Sequence, residues 1–168
     1  SRAAMTTAFD PLALLRRLHD ADVPFVLIGG VAARLHGSPT LTRDVDICYD
    51  RDPAAVERLV SVLGELHARL RGVDDDVPFV LDARTLLAGE NFTFVTDLGD
   101  FDVLVAPAGV AGYQELAGAA VDVELGGFTV KAATLDQLIT MKSATGRAKD
   151  RAEVEILVAL RDEVSGER

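Results

Sequence analysis

The stretch Phe25-Val26-Leu27-Ile28-Gly29-Gly30 constrains the fold more than any other part of the chain. An apolar run this short and dense, from Val23 to Ile28, reads as a buried strand. Paired glycines at its end permit a sharp corner and let backbone N–H groups approach a neighbour closely. Val31-Ala32-Ala33-Arg34-Leu35-His36 then reads as a helix, ended by Gly37, Ser38 and Pro39 and followed by a loop to Arg43. The next strand, Val45 to Tyr49, is headed by Asp44-Val45-Asp46-Ile47. The interval from Gly30 to Asp44 holds about two helical turns and a loop, so the second strand can lie beside the first.

Side chains on a strand alternate faces, so Asp44 and Asp46 point the same way, about 7 Å apart. Two like charges at the head of an apolar strand resist joint ionisation unless a counter-charge is present. A divalent cation supplies one. Oxygen ligands of this kind suit Mg²⁺, which completes its shell with water and phosphate oxygens. A third carboxylate is expected on an adjacent strand, and Asp102, in Gly99-Asp100-Phe101-Asp102-Val103-Leu104, is the best candidate. An acid inside an apolar strand is costly without a partner. Asp100 reads first as a turn residue, although two positions from Asp102 it could share the same face. The Gly29-Gly30 corner would present backbone N–H groups and a helix N-terminus to an anion. His36 reads as a loop-packing residue and Cys48 as a small buried apolar one.

The chain has 168 residues, 49% of them apolar, which suits a single domain with a real core. The 17 basic and 27 acidic residues give a net charge of −10. That balance excludes a broadly basic nucleic-acid-binding face, so a polynucleotide would need a confined patch or a partner protein. The single cysteine excludes an internal disulfide and a Cys-rich zinc site. No apolar run approaches the ~20 residues of a membrane span, and no long apolar segment follows Ser1-Arg2-Ala3-Ala4-Met5. Residues 1–8 therefore read as a tail or cloning remnant, residues 9–165 as one domain, and the expected location is the cytoplasm.

The remaining elements follow from pattern. Asp10-Pro11 starts a helix to about His19, and Asp52-Pro53 starts another, in which Val56, Leu59, Val60, Leu63, Leu66 and Leu70 form one apolar stripe. Gly72 to Asp76 is an acidic loop, Val77 to Leu81 reads as a strand, and Ala83 to Ala88 as a short helix or turn. Asn91–Thr96 and Phe101–Ala106 read as a hairpin, as do Val121–Leu125 and Phe128–Lys131 around Gly126-Gly127. Gly109 to Ala119 reads as a helix. Thr134 caps a helix to about Thr145, and a last one runs from Ala148 to Asp162. Mixed order of this kind predicts an α/β (α+β) domain, a mixed sheet with flanking helices.

Six pieces taken together resemble the nucleotidyltransferase superfamily. They are Gly29-Gly30-Val31-Ala32, His36-Gly37, Thr42-Arg43-Asp44-Val45-Asp46, Gly99 to Asp102, Leu138-Ile139-Thr140-Met141-Lys142 and Gly146-Arg147-Ala148-Lys149-Asp150. The likeness spans about residues 24 to 160 and looks strongest to the small bacterial branch that includes AbiEii-type toxin nucleotidyltransferases and other minimal members. It implies transfer of a nucleoside monophosphate from a nucleoside triphosphate such as ATP to a hydroxyl of a tRNA, a protein or a small molecule, with a toxin–antitoxin connection. It implies Mg²⁺ or Mn²⁺ held by Asp44, Asp46 and Asp102, with Asp102 also activating the attacking hydroxyl. It implies nucleotide contacts from Gly29, Gly30, Thr42 and Lys142. Arg147, Lys149 and Asp150 divide between a substrate contact and a helix junction held by surface ion pairs. One departure stands out: members often carry Arg two positions before the loop threonine, where this chain has Thr40. That departure favours a rival of another class, a catalytically inactive nucleotide-binding or antitoxin-like regulatory module. Retention of three carboxylates opposes it.

Overall fold

The architecture rests on a seven-stranded mixed sheet, seen in a computed structural model that describes residues 8–74 and 76–166. The expected tail over residues 1–8 lies, but for Ala8, outside the described residues. Helix α1 (Pro11–Asp20) begins where the Asp10 carboxylate accepts the Ala13 N–H, with Pro11 at its first position. Strand β1 (Phe25–Ile28) is buried along its whole length and runs into α2 (Gly29–Leu35). Strand β2 (Asp44–Tyr49) returns antiparallel beside it. Helix α3 (Pro53–Glu65) is capped by Asp52, then come β3 (Arg69–Leu70), α4 (Ala83–Ala88) and the hairpin of β4 (Asn91–Thr96) and β5 (Gly99–Leu104). Helix α5 (Tyr113–Ala119) leads to a second hairpin, β6 (Val121–Glu124) and β7 (Thr129–Ala132). Helices α6 (Leu135–Ala144) and α7 (Ala148–Gly166) complete the chain.

The strand order is β3-β4-β5-β2-β1-β7-β6, with β2–β5 and β1–β7 parallel and the other pairs antiparallel. This register fixes two faces. Val45, Ile47, Tyr49, Phe94, Phe101 and Val103 are buried in one apolar cluster with Leu18, Leu59, Leu63 and Leu86. Pleat alternation then sends Asp44, Asp46, Asp100 and Asp102 to the opposite face. Burial of large side chains on the first face holds the sheet, and the second face is left for chemistry.

Three expectations are corrected. Val77–Leu81 forms no strand. Pro78 lacks the N–H a ladder needs, and Phe79 instead packs its ring 6.3 Å from that of Phe92 and 6.2 Å from that of Phe94. The apolar stripe of α3 does not continue to Leu70. The helix ends at Glu65, the chain turns at His67 with φ of 54°, and Leu70 pairs with Phe94 as part of β3. The helix expected from Gly109 starts only at Tyr113.

Candidate active site

The site begins at the corner between β1 and α2. Gly29 has φ of 68°, in the left-handed region, and a Cβ there would lie 2.1 Å from Asp46 Oδ2. Glycine is therefore required twice, by backbone conformation and by the carboxylate pressed against it. A Cβ on Gly30 would lie 2.7 Å from Thr42 Oγ1. The Thr42 hydroxyl in turn sits 3.1 Å from Asp44 Oδ1 and 3.3 Å from the Asp44 carbonyl, donating to that residue. Arg34 ties the same loop down through the carbonyls of Pro39 and Thr40. Thr42 thus orients Asp44 from a loop that packs directly on the glycine corner.

The acids meet through strand register. Parallel pairing of β2 with β5 sets Asp46 opposite Asp102 and Asp44 opposite Asp100. One carboxylate oxygen from each of Asp44, Asp46 and Asp102 lies within 4.8 Å of the others. Burial, followed by the charges of Asp44 and Asp102, pushes the Asp46 carboxyl up to about 8, with Lys142 acting in the opposite direction. Asp102 is also raised, chiefly by burial, although Arg71 pulls it down. Three convergent carboxylates, two of them raised by burial and mutual repulsion, form a donor set that a hard divalent cation would relieve.

Arg71 is the feature that sequence reasoning missed. It directly follows β3, and its backbone N–H donates to the Thr93 carbonyl at 2.9 Å, extending the pairing with β4 by one residue. Its Nη2 donates to Asp102 Oδ1 at 2.7 Å, and Nη1 lies 3.4 Å from Asp100 Oδ2. The segment reads locally as the end of α3, and nothing near position 71 signals a partner 31 residues away. Asp100 is accordingly a strand residue that shares Arg71 and the sheet face with Asp102, the second of the two readings its spacing allowed.

On the other side of the corner, the Thr134–Gln137 capping box starts α6 and places Lys142 in its last turn. Lys142 Nζ lies 3.4 Å from Asp150 Oδ1. Asp150 is only 2% exposed and also accepts from Thr145 Oγ1 at 2.6 Å and Arg147 Nε at 2.7 Å. The Thr145 hydroxyl, with Arg147 and Lys142, brings its carboxyl down to about 2. The junction of α6 and α7 is therefore built on a buried acid, where surface ion pairs were one expectation. His36 Nε2 is 2.7 Å from the Ala133 carbonyl, a packing contact. Cys48 is buried, its thiol donating to the Val105 carbonyl and pushed up to about 12 by burial.

Gly29, Gly30, Thr42, Asp44, Asp46, Asp102 and Lys142 all line one cavity of about 780 Å³. The structure thus brings together every residue singled out for metal or nucleotide contact. Among the described residues, no helix is long and apolar enough to cross a membrane.

No protein-family model matches the chain, and no curated protein matches it. Solved structures do. The chain is similar to the lincosamide antibiotic adenylyltransferase LnuA in its lincomycin-bound form, with a TM-score of 0.61 and 11% identity over 92% of this chain and 99% of that one. It is similar to the antibiotic-resistance factor ANT(2'')-Ia, with a TM-score of 0.53 and 17% identity over 93% of this chain and 91% of the other. It is also similar to a putative nucleotidyltransferase from Thermotoga maritima, with a TM-score of 0.51 and 16% identity over 99% and 100% of the two chains. These likenesses establish the nucleotidyltransferase fold for this chain. They define that fold broadly and single out no branch within it.

Proposed function

We propose that the protein is a metal-dependent nucleotidyltransferase that moves a nucleoside monophosphate from a nucleoside triphosphate to a hydroxyl of a small molecule. The observation that carries this reading is the meeting of three carboxylates within 4.8 Å beside a glycine corner, in a nucleotidyltransferase fold. Asp44, Asp46 and Asp102 would hold Mg²⁺ or Mn²⁺, which when bound supplies the positive charge that phosphoryl chemistry needs at the α-phosphate.

The chain's own groups do the rest by placement. The Gly29-Gly30 corner presents bare backbone to the triphosphate from the cavity wall, and its glycines leave room for Asp46 and Thr42 behind it. Lys142 lines the same cavity and offers its ammonium to the β- and γ-phosphates, exchanging Asp150 for them. Thr42 keeps Asp44 turned toward the corner. The acceptor oxygen bonds to the α-phosphorus, the bond from it to the α,β-bridging oxygen breaks, and pyrophosphate leaves. The hydroxyl proton passes to the Asp102 carboxylate. Positioning and charge neutralisation supply the rate.

A cavity of about 780 Å³ is of the size that small-molecule sites have, and a net charge of −10 disfavours an unaided polynucleotide acceptor. LnuA, whose name is that of an adenylyltransferase, makes ATP the first donor to try. A tRNA or protein acceptor, and with it a toxin–antitoxin role, is the alternative arm of the same assay. The test incubates α-labelled triphosphates and Mg²⁺ with three separate acceptor pools: hydroxyl-bearing small molecules, tRNA and proteins. Label on a small molecule with matching pyrophosphate is expected. Equal label transfer by Asp46→Ala would remove the assignment.

Thr40, standing where relatives often carry Arg, favours a second reading: an inactive nucleotide-binding or antitoxin-like module. Calorimetry separates the two. Mg²⁺-dependent triphosphate binding without pyrophosphate from any acceptor pool would support the module.

A further inference from the structure

We propose that Arg71 is a positioning residue of this site, one that presets the Asp102 carboxylate for the divalent cation. The proposal rests on the metal-dependent reading above and adds to it a group outside the glycine, Asp-x-Asp and lysine pieces. The geometry is specific. Sheet order puts β4 between Arg71 and β5, so the Arg71 side chain reaches over one intervening strand to meet that of Asp102. It does so from a fixed base, since the Arg71 N–H is bonded to the Thr93 carbonyl at 2.9 Å. At the far end one nitrogen takes Asp102 Oδ1 at 2.7 Å while the other lies 3.4 Å from Asp100 Oδ2.

Only a planar fork can serve two acids spaced two apart on one strand in this way. A lysine ammonium would be a point charge able to favour one of them. With Oδ1 held by Arg71, the Asp102 carboxylate is fixed in rotation beside Asp44 and Asp46, where a cation would sit. The Asp102 side chain is 15% exposed and that of Arg71 30%, so the pair is shielded enough for its geometry to persist. Asp100, more open at 39%, takes the longer contact and gives Arg71 its second anchor. Groups behind a metal ligand commonly change metal affinity or activity 10- to 100-fold when removed.

The test uses the whole chain and two readouts. Mn²⁺ binding is followed by electron paramagnetic resonance in the presence of a non-transferable triphosphate analogue, and nucleotidyl transfer is measured separately. Arg71→Met, which keeps length without charge, is expected to bind Mn²⁺ about 10-fold more weakly and to lose about 10-fold in kcat, with the triphosphate KM changed less than 3-fold. Arg71→Lys is expected to fall between Arg71→Met and wild type in both readouts. Circular dichroism confirms that both variants are folded, and a purely structural role would lower the melting temperature without moving Mn²⁺ affinity. Mn²⁺ binding by folded Arg71→Met or Arg71→Lys that equals or exceeds wild type would overturn the proposal, because Arg71 would then be only a counter-charge. A wild-type protein that binds Mn²⁺ with the analogue but transfers no label overturns the enzymatic reading alone. The Mn²⁺ comparison still decides the role of Arg71.

Discussion

Gly29 and Asp46 form one structural unit, and each predicts the behaviour of the other. Gly29→Ala places a methyl group 2.1 Å from the Asp46 carboxylate and forces alanine to φ of 68°. It should cost about 1–3 kcal/mol from the backbone alone and also displace Asp46, which thermal melts and Mg²⁺ titration would both register. Asp46 itself predicts a pH dependence. Its folded value is raised, so the native state keeps a proton that the unfolded chain has already released between 3.8 and about 8. Metal-free stability should therefore be greatest at the acid end of that window and decline as pH rises through it. Asp46→Asn should remove the decline, matching wild type near pH 4 and melting ~5 °C higher at pH 8. A melting profile with no divergence between the two would show that burial and neighbouring charge do not act on Asp46 in this way. Cys48 is the inert counterpart: buried and pushed up to about 12, it should resist alkylation until the protein unfolds.

At the scale of elements, α6 and its junction with α7 carry Lys142 into the cavity. Thr134→Ala breaks the capping box and should cost about 1 kcal/mol by denaturant unfolding. Asp150→Asn removes the charge shared by Thr145, Arg147 and Lys142, and should cost about 2 kcal/mol at neutral pH. The difference should vanish in acid, because Asp150 is depressed to about 2 and its contribution is lost as pH falls below 3.8 toward that value. Elements with their own local signals were legible in the sequence: Asp10-Pro11, Asp52-Pro53 and Thr134 announce helix starts, and Gly126-Gly127 announces a hairpin. That Asp44 and Asp46 share a face was legible from strand alternation, whereas the arrival of Asp102 beside them depends on the parallel pairing of β2 with β5 and was expected only through the family resemblance. What escaped were features set by tertiary pairing. Leu66 and Leu70 continue the helical stripe of α3, yet pairing with β4 claims Leu70 for a two-residue strand. That same pairing delivers Arg71, so missing β3 and missing the partner of Asp102 were one error. Val77–Leu81 failed for a related reason, Pro78 interrupting a run whose apolar side chains serve the aromatic cluster of Phe79, Phe92 and Phe94.

At the scale of the whole molecule, the sheet has two uses. One face is closed by large apolar side chains and the other gathers four carboxylates and one guanidinium. Mg²⁺ binding should accordingly stabilise the entire domain, and at pH 7 it should release a proton from Asp46, visible as a buffer-dependent binding enthalpy. The most direct measurement is pyrophosphate release with Mg²⁺, a triphosphate and the responsive acceptor, by wild type and by Asp44→Ala, Asp46→Ala and Asp102→Ala separately. Each substitution should lower the rate by about 100-fold or more, because the three acids act as one unit. An Asp102→Ala variant that releases pyrophosphate at the wild-type rate would contradict it.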